Sequence, residues 1–491
     1  MNIKEAKKQI KNAMIAYFSK DEFGNYLIPV QKQRPVFLIG PPGIGKTAIM
    51  EQIARSMKVS LVSYSITHHT RQSALGLPFI TEKIYDGKEY RISEYTMSEI
   101  IASVYDTIEK TGNKEGILFL DEINCVSETL SPAMLQFLQY KIFGKHRVPE
   151  GWIVVTAGNP PEYNKNVHEM DIVTLDRLKR IDVEPDYQVW RSYAVNRNLH
   201  SSILNFLDQK PEFFYSVTTS IDGKSFVTPR GWEDLSDMMR LYELHDIQID
   251  YDLEYQYLQN SKIAREFATY YELFNRYKKE YQIESIFSGE VSESLMEKAK
   301  ESSFDERLAV VGMLLDEITA KIRKVNFFDR GIQELRALLK QAKGYEGKEL
   351  QTKIQEEKRA YEEDFEQKKT AGSLNNEELY AKEFALNFLT GSILEEQNFS
   401  VIQKAYMEKV AELKELIAHT NTSLQEAFRF IEQAYDGDQE MVLFVTELTV
   451  RSHCSYYISR YGSEEYFKYN KELLLEERKM DLKGKISELE L

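Results

Sequence analysis

The feature that most constrains this chain is the stretch GPPGIGKT at positions 40–47. It fits the pattern G-x-x-x-x-G-K-[ST] at every position, which is typical of a phosphate-binding loop between a strand and a helix. The apolar run at 36–39 predicts a buried parallel strand before the loop, and helix-forming residues follow it up to Met57. This order of strand, glycine-rich loop and helix predicts an α/β fold with a phosphate site.

The residue types in this loop predict how phosphate and a metal ion would be held. Glycines let the backbone curl so that successive N–H groups point at one anion. Lys46 is expected to reach the β- and γ-phosphates of a nucleotide, and the Thr47 hydroxyl to ligate Mg²⁺. The helix beginning at Thr47 aims its positive end at the same phosphates. The predicted nucleotide-binding residues are Gly40, Pro41, Pro42, Gly43, Ile44, Gly45, Lys46, Thr47 and Ala48.

The composition favours a globular chain of two or three domains. Its 63 basic and 78 acidic residues give a net charge of −15. An acidic chain is not a default candidate for non-specific binding to nucleic acid or to an anionic membrane. The two cysteines, Cys125 and Cys454, predict no disulfide framework and a reducing compartment. We find no secretory signal and no apolar run of membrane-spanning length, so the predicted location is the cytoplasm.

Strands that alternate with helices in the first part of the chain predict a mostly parallel, five-stranded sheet. After the strand at 36–39, strands are predicted at 59–64, 117–122, 152–157 and 181–183. Beyond Tyr187 no strand pattern recurs, and helical spacing predominates. We therefore predict a nucleotide-binding α/β core at 1–190 with an N-terminal helix, a helical lid at 191–290 and a helical C-terminal region at 291–491. Apolar spacing over 331–370 predicts an antiparallel helical hairpin within that last region.

Two polar positions follow predicted strands and are candidates for chemistry. Asp121 and Glu122 end the strand at 117–122, where an aspartate holds the Mg²⁺ shell in enzymes with such a loop. The adjacent Glu122 is placed to orient the attacking water. The alternative for this acid pair is a solvated helix start that Asp121 caps. Asn159 follows the next strand at an edge where ligands bind. It is expected to hold the water or the γ-phosphate, the alternative being a turn residue before Pro160.

Two arginines are further candidates. Arg177 lies just before the last predicted strand, where an arginine at the edge of the domain is able to reach a neighbouring γ-phosphate. Arginine supplied in trans is worth about 10³–10⁵ in rate, and the local sequence supports this role and a surface charge run equally. Arg230 follows Pro229 at a predicted helix start, and there the local sequence favours an ordinary surface arginine.

Taken in order, five stretches resemble the AAA+ ATPases, and specifically the MoxR-like branch. In that family they act as Walker A, Walker B, sensor 1, arginine finger and sensor 2. The matching stretches are GPPGIGKT at 40–47, LFLDEIN at 118–124, VVTAGNP at 154–160, LDRLKRIDV at 175–183 and TPRGWEDL at 228–235.

The resemblance implies a P-loop AAA+ core that uses ATP and Mg²⁺. Its implied catalytic residues are Glu122, Asn159, Arg177 and Arg230, its implied metal ligands are Thr47 and Asp121, and Arg180 is the fallback for the finger. It also implies a homo-oligomer, usually a hexameric ring. Relatives often remodel or activate a client protein that contains a von Willebrand factor A domain. The implied function is thus ATP hydrolysis driving conformational work on another protein.

The resemblance covers roughly residues 30–245 and leaves other possibilities open. The role of 291–491 is not implied by it. The segment 143–149 occupies the place of a hairpin that faces the ring pore in this branch, although a solvated turn is an equal alternative.

One rival function is a nucleic-acid-directed NTPase of the restriction or motor type, against which the acidic balance counts. The other is a nucleotide-gated scaffold without hydrolysis, against which the intact Asp121-Glu122 pair counts.

Overall fold

The computed structural model describes residues 1–68, 74–127, 129–163, 167, 170, 172–220, 223–370, 374–435 and 439–471. Contacts divide the chain into two compact units. The α/β unit comprises Met1–Val189, Thr228–Arg230 and Gln367–Ser373, and the rest of the chain forms the helical unit. Among the described helices, none has both the length and the apolar content needed to cross a bilayer.

The α/β unit is built on the predicted parallel five-stranded sheet. Its strands and hairpins, in chain order, are β1 Val36–Ile39, β2 Ser60–Ser65, β3 Pro78–Tyr85, β4 Lys88–Tyr95, β5 Gly116–Asp121, β6 Ile142–Phe143, β7 His146–Arg147, β8 Trp152–Gly158 and β9 Lys179–Asp182. Its helices are α1 Ile3–Phe18, α2 Lys46–Met57, α3 Glu99–Thr111, α4 Ser131–Tyr140 and α5 Ile172–Leu175. The sheet has the order β2-β5-β8-β1-β9, with every neighbouring pair parallel.

This strand order places three functional loops side by side. The central strands β5 and β8 are buried along almost their whole length, which explains their continuous apolar sequences. Phe37, Leu118 and Val154 lie in one buried core with side chains of the covering helices, such as Phe137. Since β8 lies between β5 and β1, the loops after these three strands meet at one edge of the sheet.

Two antiparallel hairpins extend the α/β unit. The strands β3 and β4 pair around Asp86 and Gly87, whose φ angles of 53° and 75° are those of a tight hairpin turn. The short strands β6 and β7 form the second hairpin, within the segment expected to be either a hairpin or a solvated turn. Its Lys145 forms an ion pair with Glu94 of β4.

The helical unit contains most of the remaining elements, and the helices α6 and α8 begin in residues assigned to the α/β unit. The helices are α6 Tyr187–Arg197, α7 Ser201–Gln209, α8 Pro229–Leu244, α9 Tyr251–Leu258, α10 Ser261–Tyr281, α11 Ile283–Phe287, α12 Glu293–Glu301, α13 Phe304–Ala342, α14 Gly347–Thr370, α15 Asn376–Phe388, α16 Ser392–Glu395, α17 Phe399–Ala434, α18 Gln439–Val450 and α19 Ser452–Tyr461. A small hairpin, β10 Ser216–Ser220 with β11 Gly223–Val227, lies among them.

No strand is predicted where the β10–β11 hairpin lies, and the helical spacing predicts two helices, at 401–418 and 424–435, where the structure has the single helix α17. Strand β10 is mostly Ser and Thr, so it lacks the apolar alternation that identifies a strand. The polar run in the middle of α17 resembles a loop, but Thr420 is buried and its hydroxyl donates to the Leu416 carbonyl (2.8 Å). This bond within the helix satisfies the polar side chain without ending the helix.

The predicted antiparallel hairpin is formed by α13 and α14, although α13 begins at Phe304, well before the predicted start. Leu335 and Leu339 of α13 lie in one buried cluster with Leu350 and Ile354 of α14. The helix extends further towards its N-terminus because its earlier residues are buried in the main core of the helical unit.

A buried carboxyl group on α9 yields a stability prediction. Glu254 is 1% exposed, and its Oε2 has no hydrogen-bond partner within the part of the chain that the structure describes. Burial raises the pKa of Glu254 from 4.5 to about 8, and Asp250 and Glu272 act in the same direction. Between pH 4.5 and 8 the unfolded chain therefore loses a proton that the folded chain keeps, so stability falls as the pH rises through this range.

We expect Glu254→Gln to raise the free energy of unfolding by roughly 1–3 kcal/mol at pH 8, because it removes a carboxylate from this site. The gain should shrink towards pH 5, where the folded protein already holds the neutral acid. Urea unfolding of both proteins at several pH values measures this. A gain that does not change with pH would show that ionisation of Glu254 is not its cause.

Candidate active site

The loop between β1 and α2 is curled by two glycines in the left-handed region. Gly43 has a φ of 76° and Gly45 a φ of 91°, conformations that L side chains rarely adopt. A Cβ atom on Gly43 would also lie only 2.8 Å from Cβ of Thr228. The loop thus has the curled backbone that the phosphate-binding pattern requires, with Thr228 packed against it.

Lys46, the first residue of α2, connects this loop to the neighbouring strand. It is 8% exposed, and its Nζ donates to the carbonyls of Gly40 (2.7 Å) and Pro41 (2.8 Å) and to Oδ1 of Asn159 (2.9 Å). Asn159 follows β8, which is the strand next to β1. The loop and the predicted sensor residue are therefore directly joined by one ammonium group.

The electrostatic surroundings of Lys46 bring four predicted site residues together. Burial lowers the pKa of Lys46 to about 8. The carboxylates of Asp121 and Glu122 oppose this shift, and the Arg230 guanidinium adds to it. An anion at the loop would favour the charged form of Lys46, because it supplies the negative charge that offsets burial.

Thr47 and Asp121 are also joined directly. The Thr47 hydroxyl donates to Oδ2 of Asp121 (2.9 Å), and Oδ1 of Asp121 accepts the backbone N–H of Glu122 (2.9 Å). A hydroxyl and a carboxylate oxygen are therefore adjacent at the carboxyl end of β5. Oxygen atoms of this kind are what Mg²⁺ takes from proteins that bind nucleotides, with the remaining positions left to water and phosphate.

Glu122 has an unusual backbone and a fixed carboxylate. Its φ and ψ of 57° and 34° lie in the left-handed region, which is uncommon for a residue with a long side chain and is often found at functional sites. Its Oε2 accepts from the hydroxyls of Ser65 and Thr67, both at 3.0 Å. No sequence pattern identifies Ser65 and Thr67 as site residues. The available signal was that polar residues end β2, but only the pairing of Ser65 with Asp121 shows that β2 is next to β5.

A second missed residue is Asn124, which follows Glu122 and was part of a recognised motif without a role. Its Nδ2 donates to the backbone carbonyl of Asn159 at 2.7 Å. Asn159 is thus held at its backbone by Asn124 and at its side chain by Lys46. No periodicity in the sequence indicates this contact, since it joins the ends of two different strands.

The three arginines differ in their surroundings. Arg230 is exposed at the start of α8 yet close enough to Lys46 to affect its pKa. Arg180 is bound to Asp182, to which its Nε (3.0 Å) and one terminal nitrogen (2.7 Å) donate. Arg177 is exposed after α5, and among the described residues its guanidinium has no hydrogen-bond or ion-pair partner. The structure therefore brings Arg230 to the loop and leaves Arg177 on the surface.

Comparisons with known proteins match part of this chain. Residues 35–178 match the AAA domain (dynein-related subfamily). Among 396 matching chains of solved structures is the FIGL-1 AAA domain in complex with ADP, which is 16% identical with a TM-score of 0.31. That match covers 55% of this chain and 81% of the other. A comparison with proteins of curated function gave no match. The range 35–178 contains Lys46, Thr47, Asp121, Glu122, Asn159 and Arg177, but not Arg230.

Proposed function

We propose that this chain, whose residues 35–178 form an AAA domain within an α/β core, is a Mg²⁺-dependent ATP hydrolase that does conformational work on another protein. One observation carries the proposal. Lys46, Thr47, Asp121 and Asn159 are joined in pairs by hydrogen bonds at one edge of the sheet, with the fixed carboxylate of Glu122 beside them. These are the groups needed to bind phosphate, hold a metal ion and orient water.

The residues present fit both ATP and Mg²⁺. The curled loop would offer its N–H groups to phosphate, and the γ-phosphate would add negative charge beside the buried ammonium of Lys46. Thr47 and Asp121 would hold Mg²⁺, which when bound neutralises the phosphate oxygens. To contact phosphate, Lys46 must exchange at least one of its three present acceptors, because an ammonium has only three N–H donors.

Glu122 would orient the attacking water and accept its proton. The two hydroxyl donors, Ser65 and Thr67, hold one oxygen of this carboxylate and so fix the direction in which the other oxygen points. Asn159 would report on the γ-phosphate through its contact with Lys46. Arg230, which lies close enough to Lys46 to lower its pKa, would add a second positive charge near the phosphates.

The finer assignment is to the MoxR-like branch, with assembly into a ring that is usually hexameric. It is supported by the order of the five motifs and by Arg177, which is exposed and has no partner among the described residues, so that its charge is available to a neighbouring subunit. The exposed side chains of Ile172 and Val173 on α5 add an apolar surface near Arg177, which suits a contact between copies.

The client would be a protein, in this branch often one with a von Willebrand factor A domain. Neither Cys125 nor Cys454 forms a disulfide within the described residues, which suits the reducing cytoplasm.

Phosphate release from ATP by the whole chain in the presence of Mg²⁺ tests hydrolysis.

The variant Arg177→Ala tests whether this arginine acts on the nucleotide of a neighbouring subunit. We expect this variant to bind ATP normally but to hydrolyse it about 10³-fold more slowly, because the transition-state charge would lack a cation from the next subunit. Mixing it with Lys46→Ala protomers should restore part of the activity, since an intact loop then meets an intact arginine.

The matched control is Arg180→Ala, because Arg180 is bound to Asp182 and should affect turnover little. If Arg180→Ala alone showed the defect, the mechanism would stand with the other arginine as the finger. A turnover rate that does not depend on protein concentration, measured on a verified monomer, would exclude an arginine acting in trans.

A further inference from the structure

Asn124 is a buried residue whose side chain is only half satisfied. It lies in the short 3₁₀ turn Ile123–Cys125 that follows Glu122, and it is 6% exposed. Its Nδ2 donates to the Asn159 carbonyl, whereas its Oδ1 has no partner within the described parts of the chain. An unpaired buried amide oxygen lowers stability, so stability alone does not account for an asparagine here.

Gly158, the last residue of β8, makes room for this side chain. A Cβ atom on Gly158 would lie 2.3 Å from Oδ1 and 2.7 Å from Cγ of Asn124, distances at which one of the groups must move. The φ angle of Gly158 is not positive, so its backbone is open to other residues. Space, rather than backbone conformation, is therefore what requires glycine at this position.

Hydrogen bonds from Asn124 and from Lys46 to Asn159 connect two parts of the site. Asn124 follows Glu122 by two positions, and its amide fixes the backbone of Asn159. The side chain of Asn159 in turn accepts from Lys46. Two hydrogen bonds thus connect the segment that carries Glu122 with the ammonium of Lys46, which would bind the phosphates.

We propose that Asn124 is a positioning residue, which sets the place of Asn159 relative to Lys46 and depends on the missing side chain of Gly158 to do so. The proposal rests on the ATP hydrolysis proposed above. Its consequence is that Asn124 acts on the chemical step and on recognition of the γ-phosphate. ADP binding, which we assign to the loop at 40–47 and not to Asn159, should not be affected.

The test uses full-length Asn124→Ala, Gly158→Ala and the double variant. Each single variant should lower kcat by about tenfold to a hundredfold, since small displacements of positioning groups have effects of this size. Affinity for ADP should stay unchanged, and the preference for ATPγS over ADP should fall. The double variant should be no worse than Asn124→Ala, because alanine at 124 leaves nothing for the new methyl group to displace.

The matched control is Asn326→Ala in the helical unit. Asn326 is also buried (1% exposed), and its Nδ2 donates to the His453 carbonyl (2.9 Å). Its Oδ1, like that of Asn124, has no hydrogen-bond partner among the described residues. Its loss should lower thermal stability and leave kcat and the nucleotide preference unchanged. A drop in kcat of the same size in this control would identify the effect of Asn124 as general destabilisation.

The results of these measurements test the role of Asn124 and the proposed ATP hydrolysis separately. A wild-type protein without turnover contradicts ATP hydrolysis, and the preference for ATPγS over ADP then still decides the role of Asn124. Wild-type kcat and preference in Asn124→Ala would overturn the positioning role. It would also be overturned if the defects of the two single variants added in the double variant, since the effect of Gly158 would then not act through Asn124.

Discussion

Lys46→Ala is expected to weaken ATP binding by about a hundredfold or more. Losing one hydrogen bond to a charged group already lowers affinity by about tenfold to a hundredfold. Two effects act together. The variant removes the cation that would pair with the terminal phosphates. It also removes the donor that holds the carbonyls of Gly40 and Pro41 and the side chain of Asn159 in place. Calorimetric titration with ATP measures the loss.

Lys141 offers a matched control in the same unit. It is 3% exposed, burial lowers its pKa to about 8 as it does for Lys46, and its Nζ donates to the Leu138 carbonyl (2.6 Å). Lys141→Ala should therefore disturb a buried lysine to a similar degree and leave ATP affinity unchanged. If Lys46→Ala bound ATP as tightly as the wild type does, the assignment of the loop at 40–47 would be wrong.

Glu122→Gln is expected to keep ATP bound while turnover falls by about 10²–10⁴-fold, the usual contribution of a general base. The amide retains the shape of the side chain, and its oxygen is still able to accept from Ser65 and Thr67. It is a much poorer acceptor for the proton of water. Single-turnover hydrolysis and ATP affinity, measured on the same preparation, distinguish a chemical defect from a binding defect.

Glu94→Gln is the control for this second variant. Glu94 is a partly buried carboxylate of the same unit, bound to Lys83 and Lys145 rather than directed to the loop. Its neutralisation should leave turnover near the wild-type rate. Wild-type turnover in Glu122→Gln would exclude Glu122 as the residue that orients water. If the variant instead traps ATP as expected, the proteins that co-purify with it are candidates for the client.

The predictable part of the site consists of local patterns. The strand at 36–39, the loop at 40–47 and the acids at Asp121 and Glu122 each depend on a few neighbouring residues. Apolar runs predict buried strands, and glycines predict the curled loop, because these effects act within one turn or one strand. The same local rules also explain the errors: a polar stretch in α17 resembles a loop until its burial is known.

By itself, therefore, the sequence determined the parallel α/β core, its curled glycine-rich loop and the acids and asparagine that follow its strands. Only the tertiary structure decided that β8 lies between β5 and β1, and that Ser65 and Thr67 hold Glu122. It alone shows that Asn124 contacts Asn159 across Gly158. The physical reason is that these contacts join residues far apart in the chain. Their distances follow from how whole strands pair and pack, which no local pattern of residues records.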